Sequence, residues 1–308
     1  MIKITLQTSF ETPSRDLGFT LIEVVVTILI SSVLAVGTVS FISRTVDGLD
    51  TTANRNQLAS AGRTVIDRLS LELHNALPNS IRTAGGGQCI EFIPVRASTT
   101  YVNPAFSGSG TGSFDVIDFA ENNAVFLPTA PPALYAVISP RNINQIYDGD
   151  NGVAALPPVF NNRRPVQAIS SIVASGTASQ STVNLATAHR FNRRSPKERF
   201  FVVTQPVSFC VVGSNLFRYS NYGFHQTQTV VEESGSCDAS TANRCLPNYE
   251  NHSTAPNKAL VVDSISAASF SVGNQNLARN SLVSIQLNLS AGGDSISLKN
   301  EVLTRSVP

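Results

Sequence analysis

Charge is scarce in this chain of 308 residues: Asp, Glu, Lys and Arg make up 14%, against roughly 25% in an average soluble domain. Much of the surface must therefore be Ser, Thr, Asn and Gln, as expected of an extracytoplasmic protein. Neither sign dominates. Lys+Arg 22 against Asp+Glu 21 leave a net charge of +1, so no global field draws in nucleic acid or an anionic membrane, and any such contact is local. Tryptophan is absent and Met1 is the sole methionine, which decides nothing. Enzyme signatures are missing too: there is no GxSxG, no HExxH, and no GxxxxGK followed by Ser or Thr. The Gly108-Ser109-Gly110-Thr111-Gly112 run lacks a following Lys and a helix, and His74, His189, His225 and His252 have no paired spacing. These absences point away from catalysis, and no cofactor or metal is called for. No internal repeat recurs at a fixed period. Hydrophobic residues at 42% exclude disorder throughout, and the length supports one large domain or two modest ones.

Cysteine is also sparse. Cys89, Cys210, Cys237 and Cys245 contain no CxxC pair and no His at zinc-like spacing, which leaves disulfides as their natural use in an oxidising compartment. Cys237 and Cys245 share one polar loop, where a bridge is worth roughly 2–3 kcal/mol on the chain-entropy model. Cys89 and Cys210 each lie in an apolar, strand-like run, and a bridge there would pin distant strands for roughly 4–5 kcal/mol. This pairing is favoured among three connectivities. Reduced core thiols are the competing reading, with metal ligation behind it.

The apolar residues are concentrated from Phe19 to Ile42, FTLIEVVVTILISSVLAVGTVSFI, with Glu23 as the one ionisable side chain. At about 1.5 Å per residue this run reaches about 36 Å, enough for a hydrocarbon core of about 30 Å with some tilt. It is too long for a secretory h-region, and no small-residue cleavage site follows it. A carboxylate inside a bilayer costs about 2.5–3.5 kcal/mol on insertion scales and calls for a partner. Cleavage after Gly18 would create one, the amine of Phe19.

Gly18-Phe19-Thr20-Leu21-Ile22-Glu23, in front of an unbroken apolar run, resembles the type III signal and mature N-terminus of type IV pilins and type II secretion pseudopilins. The resemblance implies cleavage by a prepilin peptidase between Gly18 and Phe19, N-methylation of Phe19, and a role for Glu23 in meeting a neighbouring subunit's terminal amine during assembly. Its implied partners are other pilin subunits through the N-terminal helix, the prepilin peptidase, the inner membrane and the pilus assembly platform. The leader balances Lys3 and Arg15 against Glu11 and Asp16, and Arg44 flanks the other end, so positive-inside bias orients the chain weakly. Leader inside and ectodomain outside follows from the resemblance, with later transfer to a fibre at the cell surface. The plainer reading is a single-pass anchor with Glu23 near the headgroups.

Past the apolar run, Ile42, Val46, Leu49 and Ala53 and then Leu58, Ala61, Val65, Leu69 and Leu73 keep steps of three and four. Leu77-Pro78-Asn79-Ser80 ends the pattern. The spacing predicts one long helix whose second half offers Val65, Ile66, Leu69, Leu73 and Ala76 to a sheet, with Arg63, Asp67, Arg68 and Glu72 toward solvent. From Cys89 the period becomes two. Strands are expected at Ile90–Val95, Phe114–Ala120, Ala124–Leu127, Leu134–Ile138, Ala168–Ala174, Thr182–Leu185, Phe200–Val212, Leu216–Tyr219, Ala259–Val262, Ala268–Val272, Leu282–Leu289 and Ser295–Val302. Pro206 divides the Phe200 run or places it at an edge. Loops are expected at Ser98–Ser113, Arg141–Arg164 and Val230–Lys258, and no second helix stands out.

The expected fold is α+β, a long N-terminal transmembrane and amphipathic helix packed on a mostly antiparallel β-sheet domain. Its divisions are a leader at 1–18, a membrane span at 19–42, an amphipathic continuation at 43–78 and a β-rich periplasmic domain at 79–308. Residues 68–82, CIEFIPV at Cys89, AHRF at Ala188, the RFFVV and QPVSFC stretches between Arg199 and Cys210, and the terminal VLTRSVP resemble large minor pilins of the MshO and PilW type. That resemblance implies a low-abundance subunit that initiates or caps a pilus of the mannose-sensitive haemagglutinin (MSHA) type. A J-type pseudopilin of a type II secretion system is the near alternative.

Two further constellations carry chemistry-bearing residues. Arg190, Arg193, Arg194, Lys197 and Arg199 cluster around Phe191 with Glu198 as the one acid. This stretch could serve an adhesin or DNA-binding tip module, with Arg190, Arg193, Arg194 and Lys197 as the contacts, but a solvated connector is favoured. Tyr147-Asp148-Gly149-Asp150-Asn151-Gly152 lacks the register of a calcium loop and reads as a turn.

Overall fold

The structure, a computed structural model, describes residues 18, 20–118, 134–141, 143–147, 165–224, 257–273 and 281–304. The chain divides into two units, Met1–Ala53 and Asn54–Pro308. Helix α1, Leu21–His74, is continuous, and from Leu21 to Ile42 its side chains are exposed. In the second unit the predicted face is buried: Leu58, Val65, Leu69, Leu73 and, just past the helix, Ala76, with Ile66 half-buried. Full burial of such a side chain contributes about 1.5–3 kcal/mol. Gly62 lies on the same face, where an added Cβ would collide with the Leu298 side chain. Arg63, Asp67 and Arg68 are exposed as expected, but Glu72 is half-buried. Its correction has a physical cause, an arginine reaching across from the sheet.

After α1 come β1 (Arg82–Ala84), a tight turn at Gly85–Gly87, β2 (Cys89–Phe92), β3 (Val95–Thr100), β4 (Thr111–Ile117), β5 (Tyr135–Ile138), α2 (Ile143–Tyr147), β6 (Val166–Ala174), β7 (Gln180–His189), β8 (Arg199–Val203), β9 (Val207–Val212), β10 (Asn215–Ser220), β11 (Asn257–Val262), β12 (Ile265–Val272), β13 (Ser281–Ala291) and β14 (Asp294–Thr304). Among the described residues they form antiparallel sheets in the orders β1-β2-β9-β10-β11, β12-β13-β14 and β3-β8-β5-β6-β7-β4. The first two face α1. Ile90, Phe92, Phe209 and Leu216 from one sheet and Phe270, Val283, Ile285, Leu287 and Leu289 from the other share one core with the helix.

Two expected strands are each two. Residues 90–95 divide at Pro94 and residues 200–212 at Pro206; at the first the chain passes from the five-stranded to the six-stranded sheet, and at the second it passes back. β2 pairs with β9 on one side of the crossing and β3 with β8 on the other. The Thr204 amide donates to the Pro94 carbonyl at 3.1 Å between them. Proline lacks the N–H a continuous ladder needs, so both residues stand where the ladder changes sheet.

The six-stranded sheet closes on itself. β3 and β4 end its strand order, yet Tyr101 bridges Val116, and the Val102 amide donates to the Asp115 carbonyl at 2.8 Å. Its interior is filled by Phe114, Phe191 and Phe200 in edge-on contact, with Val116, Ala136, Ile138 and Val183. Tyr135, Val137, Phe201 and Val203 point outward but are covered by Ile146 and Tyr147 of α2 and by Phe224. The expected loop at Ser98–Ser113 therefore begins and ends in strand, and α2 is a second, short helix where none was expected. The Ala124–Leu127 strand lies outside the described residues.

Candidate functional site

Thr20 organises the start of α1. Its side-chain oxygen accepts a bond from the Glu23 amide at 3.3 Å, and its carbonyl accepts from the amides of Glu23 at 3.1 Å and Val24 at 3.3 Å. This is N-cap geometry, and Thr-x-x-Glu is the sequence of a capping box. Thr20 is the residue the cleavage pattern hides, and its spacing to Glu23 is the signal that finds it. Glu23 is exposed in the first helical turn, where the helix dipole favours a negative charge. Among the described residues no cation pairs with it. Gly18 is exposed, with nothing within 4 Å of the position a Cβ would take. Phe19 lies outside the described residues.

Three hydroxyls along the apolar run bond to carbonyls of the helix itself. Thr27 donates to the Val24 carbonyl at 2.9 Å, Ser32 to Leu29 at 2.8 Å and Thr38 to Leu34 at 2.8 Å. A lipid interior supplies no water, so such internal bonding keeps polar side chains compatible with it. By length and composition α1 can cross a membrane.

Cys89 and Cys210 form a disulfide between directly opposed positions of β2 and β9. It lies among Tyr219 and Tyr222. Cys237 and Cys245 lie outside the described residues. Two positions along β2 from Cys89, the buried Glu91 carboxylate accepts from Arg82 Nε of β1, and the Tyr222 hydroxyl donates to Glu91 Oε1 at 2.8 Å. Tyr222 also shares a 2.6 Å bond with the Ser208 hydroxyl. The Arg82 guanidinium lies 3.6 Å from the centre of the Tyr147 ring, whose hydroxyl donates to the Ser80 carbonyl at 2.7 Å. Burial pushes the Tyr147 and Tyr222 phenols well above the ordinary tyrosine range. Strand alternation alone places Glu91 on an outer face. What covers it, Tyr222 and α2, comes from distant sequence.

The basic stretch is a connector from β7 to β8. Phe191 is fully buried in the closed sheet, Arg190 Nη1 donates to the Gly108 carbonyl at 3.1 Å, and Arg194 lies 5.1 Å from the centre of the Phe106 ring. Arg193 and Lys197 are left facing solvent. Two of the four cations singled out are thus tied to the 105–108 segment. Tyr147 of the acidic loop is buried, and residues 148–152 lie outside the described residues. Among the described residues no group of three or more His, Cys, Asp or Glu side chains is placed to hold a metal ion.

No curated protein and no solved structure matches the chain. Residues 13–39 match the model of the prokaryotic N-terminal methylation motif, a segment that spans Gly18, Thr20, Glu23 and most of the apolar run. The match supports the pilin and pseudopilin class, and implies prepilin peptidase processing, association with other pilins and membrane anchoring.

Proposed function

We propose that this chain is a minor type IV pilin, of the MshO-like kind, that helps initiate or cap a pilus of the MSHA type. The observation that carries the reading is the methylation motif over residues 13–39, which runs into a helix capped at Thr20. Hydrolysis of the Gly18–Phe19 peptide bond releases residues 1–18 and leaves a protonated amine on Phe19. In lipid that amine and the Glu23 carboxylate of an adjacent subunit neutralise each other, which removes the insertion penalty of both charges and sets the register between helices. Helix packing among small and apolar residues such as Ala35 and Gly37 supplies the rest. A large ectodomain suits a subunit present in few copies at an end of the fibre.

Intact-mass analysis of the protein from membranes that contain a prepilin peptidase tests this. The expected mass lacks residues 1–18 and carries one added methyl group. A chain still beginning at Met1, or a Glu23→Ala variant that enters fibres as readily as the parent, overturns the proposal.

A further inference from the structure

One side chain decides where α1 begins. The helix starts at Leu21, although Asp16 is at least as strong a cap residue as Thr20 and no proline separates it from the apolar run. A second, earlier start is therefore open to the sequence. The Thr20 hydroxyl oxygen accepts from the Glu23 amide at 3.3 Å, and the Thr20 carbonyl opens the helical ladder by accepting from the Val24 amide at 3.3 Å. Glu23 in the first turn favours the same start through the helix dipole. Beside lipid, where water does not compete for main-chain bonds, an apolar helix without such a stop continues upstream.

The position of that start bears on the Gly18–Phe19 bond. In an α-helix the carbonyl of each residue accepts from the amide four positions on. A helix begun at Asp16 would engage the Gly18 carbonyl with the Ile22 amide, and water could add to that carbonyl only after the first turn had opened. A helix begun at Leu21 leaves it outside the ladder. Gly18 is exposed, and nothing lies within 4 Å of the position a Cβ would take there. The two starts thus differ at the atom where hydrolysis takes place.

We infer that Thr20 is a positioning residue for the removal of residues 1–18: by holding the Glu23 amide it stops α1 at Leu21 and keeps the Gly18 carbonyl open to attack. Its hydroxyl takes no part in the chemistry. Water delivered by the peptidase adds to the Gly18 carbonyl carbon, the C–N bond to Phe19 breaks, and the products are a Gly18 carboxylate and a Phe19 ammonium. Capping, not contact with the peptidase, is what Thr20 supplies, so any residue that caps as well serves as well. The inference rests on the proposed processing and adds to it a residue that the Gly18–Phe19 junction and Glu23 do not name.

The test uses the full chain in lipid nanodiscs with a purified prepilin peptidase, and intact mass to follow the loss of residues 1–18. Thr20→Ser and Thr20→Asn, both strong caps, should be cleaved as fast as the parent, whereas Thr20→Ala and Thr20→Val should lose about fivefold in kcat/KM. Valine copies the shape of threonine and asparagine does not, so the order of rates separates capping from recognition of the side chain. Amide exchange at Gly18 and Phe19 should be fast in the parent and slowed in the valine variant. Parental cleavage of Thr20→Val, a loss in Thr20→Asn equal to that in Thr20→Ala, or unchanged exchange at Gly18 and Phe19 in the valine variant each overturns the inference. A parent that stays whole overturns the processing itself and the inference with it, so the two failures are told apart.

Discussion

Arg218 on β10 grips Glu72 on α1 by both carboxylate oxygens, its Nε lying 3.2 Å from Oε1 and 3.1 Å from Oε2. Arg68, one turn earlier on the helix, donates to the same Oε1 at 3.2 Å. Both partners of the cross-element pair are largely shielded, with side-chain exposures of 23% and 21%. Glu72→Gln should therefore lower stability by about 1–2 kcal/mol. In a double-mutant cycle with Arg218→Ala, urea unfolding should give a coupling of about 1 kcal/mol. Strict additivity would mean that the contact contributes nothing.

The Cys89–Cys210 link joins positions 121 residues apart. On the chain-entropy model, removing a link of that span from the unfolded ensemble lowers stability by about 4–5 kcal/mol. The C89A/C210A protein should unfold at a correspondingly lower denaturant concentration, and reducing agent should have less effect on it than on the parent. A parent whose unfolding midpoint matches that of the variant would contradict this.

Glu91 and Arg82 should behave as a buried pair. Glu91→Leu alone leaves the guanidinium without its carboxylate and should cost about 3–5 kcal/mol. Combining it with Arg82→Met replaces both charges by apolar groups of similar length and should recover most of that loss. Thermal unfolding of the parent, the single and the double variant separates the two cases. A double variant no better than the single one would assign the role to the Arg82–Tyr147 contact instead.

Tyrosine ionisation gives the pH dependence. Burial pushes Tyr219 up to about 12, and Tyr135, Tyr147 and Tyr222 are raised for the same reason. In the unfolded chain these phenols ionise near pH 10. A group raised on folding contributes stability that is whole below its unfolded value and is lost as pH rises through the folded one. Unfolding should become easier as pH climbs past about 10, and ultraviolet titration should show these phenols ionising together with unfolding. Tyr222→Phe should reduce the steepness of that loss.

The helix was legible because its signal is local. Steps of three and four from Leu58 to Leu73 name the buried face directly, and Thr20 and Glu23 mark its start by spacing alone. Strands β13 and β14 were legible for the same reason, since alternation at period two survives where one face is wet. β5 gave no alternation, because Tyr135 and Val137 are covered on one side while Ala136 and Ile138 are covered on the other. β1 is three residues long and was too short to register. By sequence Glu72 faces solvent, because nothing in the helix announces Arg218, 146 positions away. The closure of β3 on β4 and the cover over Glu91 depend on contacts between distant segments, which periodicity does not encode.

The paired crossings at Pro94 and Pro206 have a mechanical consequence. Two neighbouring strands, rather than one tether, carry the backbone from the helix-bearing sheet into the closed one, with a covalent rung at Cys89–Cys210 and the Thr204–Pro94 bond where they cross. A doubled, cross-braced beam resists bending and twisting where a lone connector would swivel. Tension entering through the helix-bearing sheet thus reaches the closed body without slack, and the two turn as one piece under load.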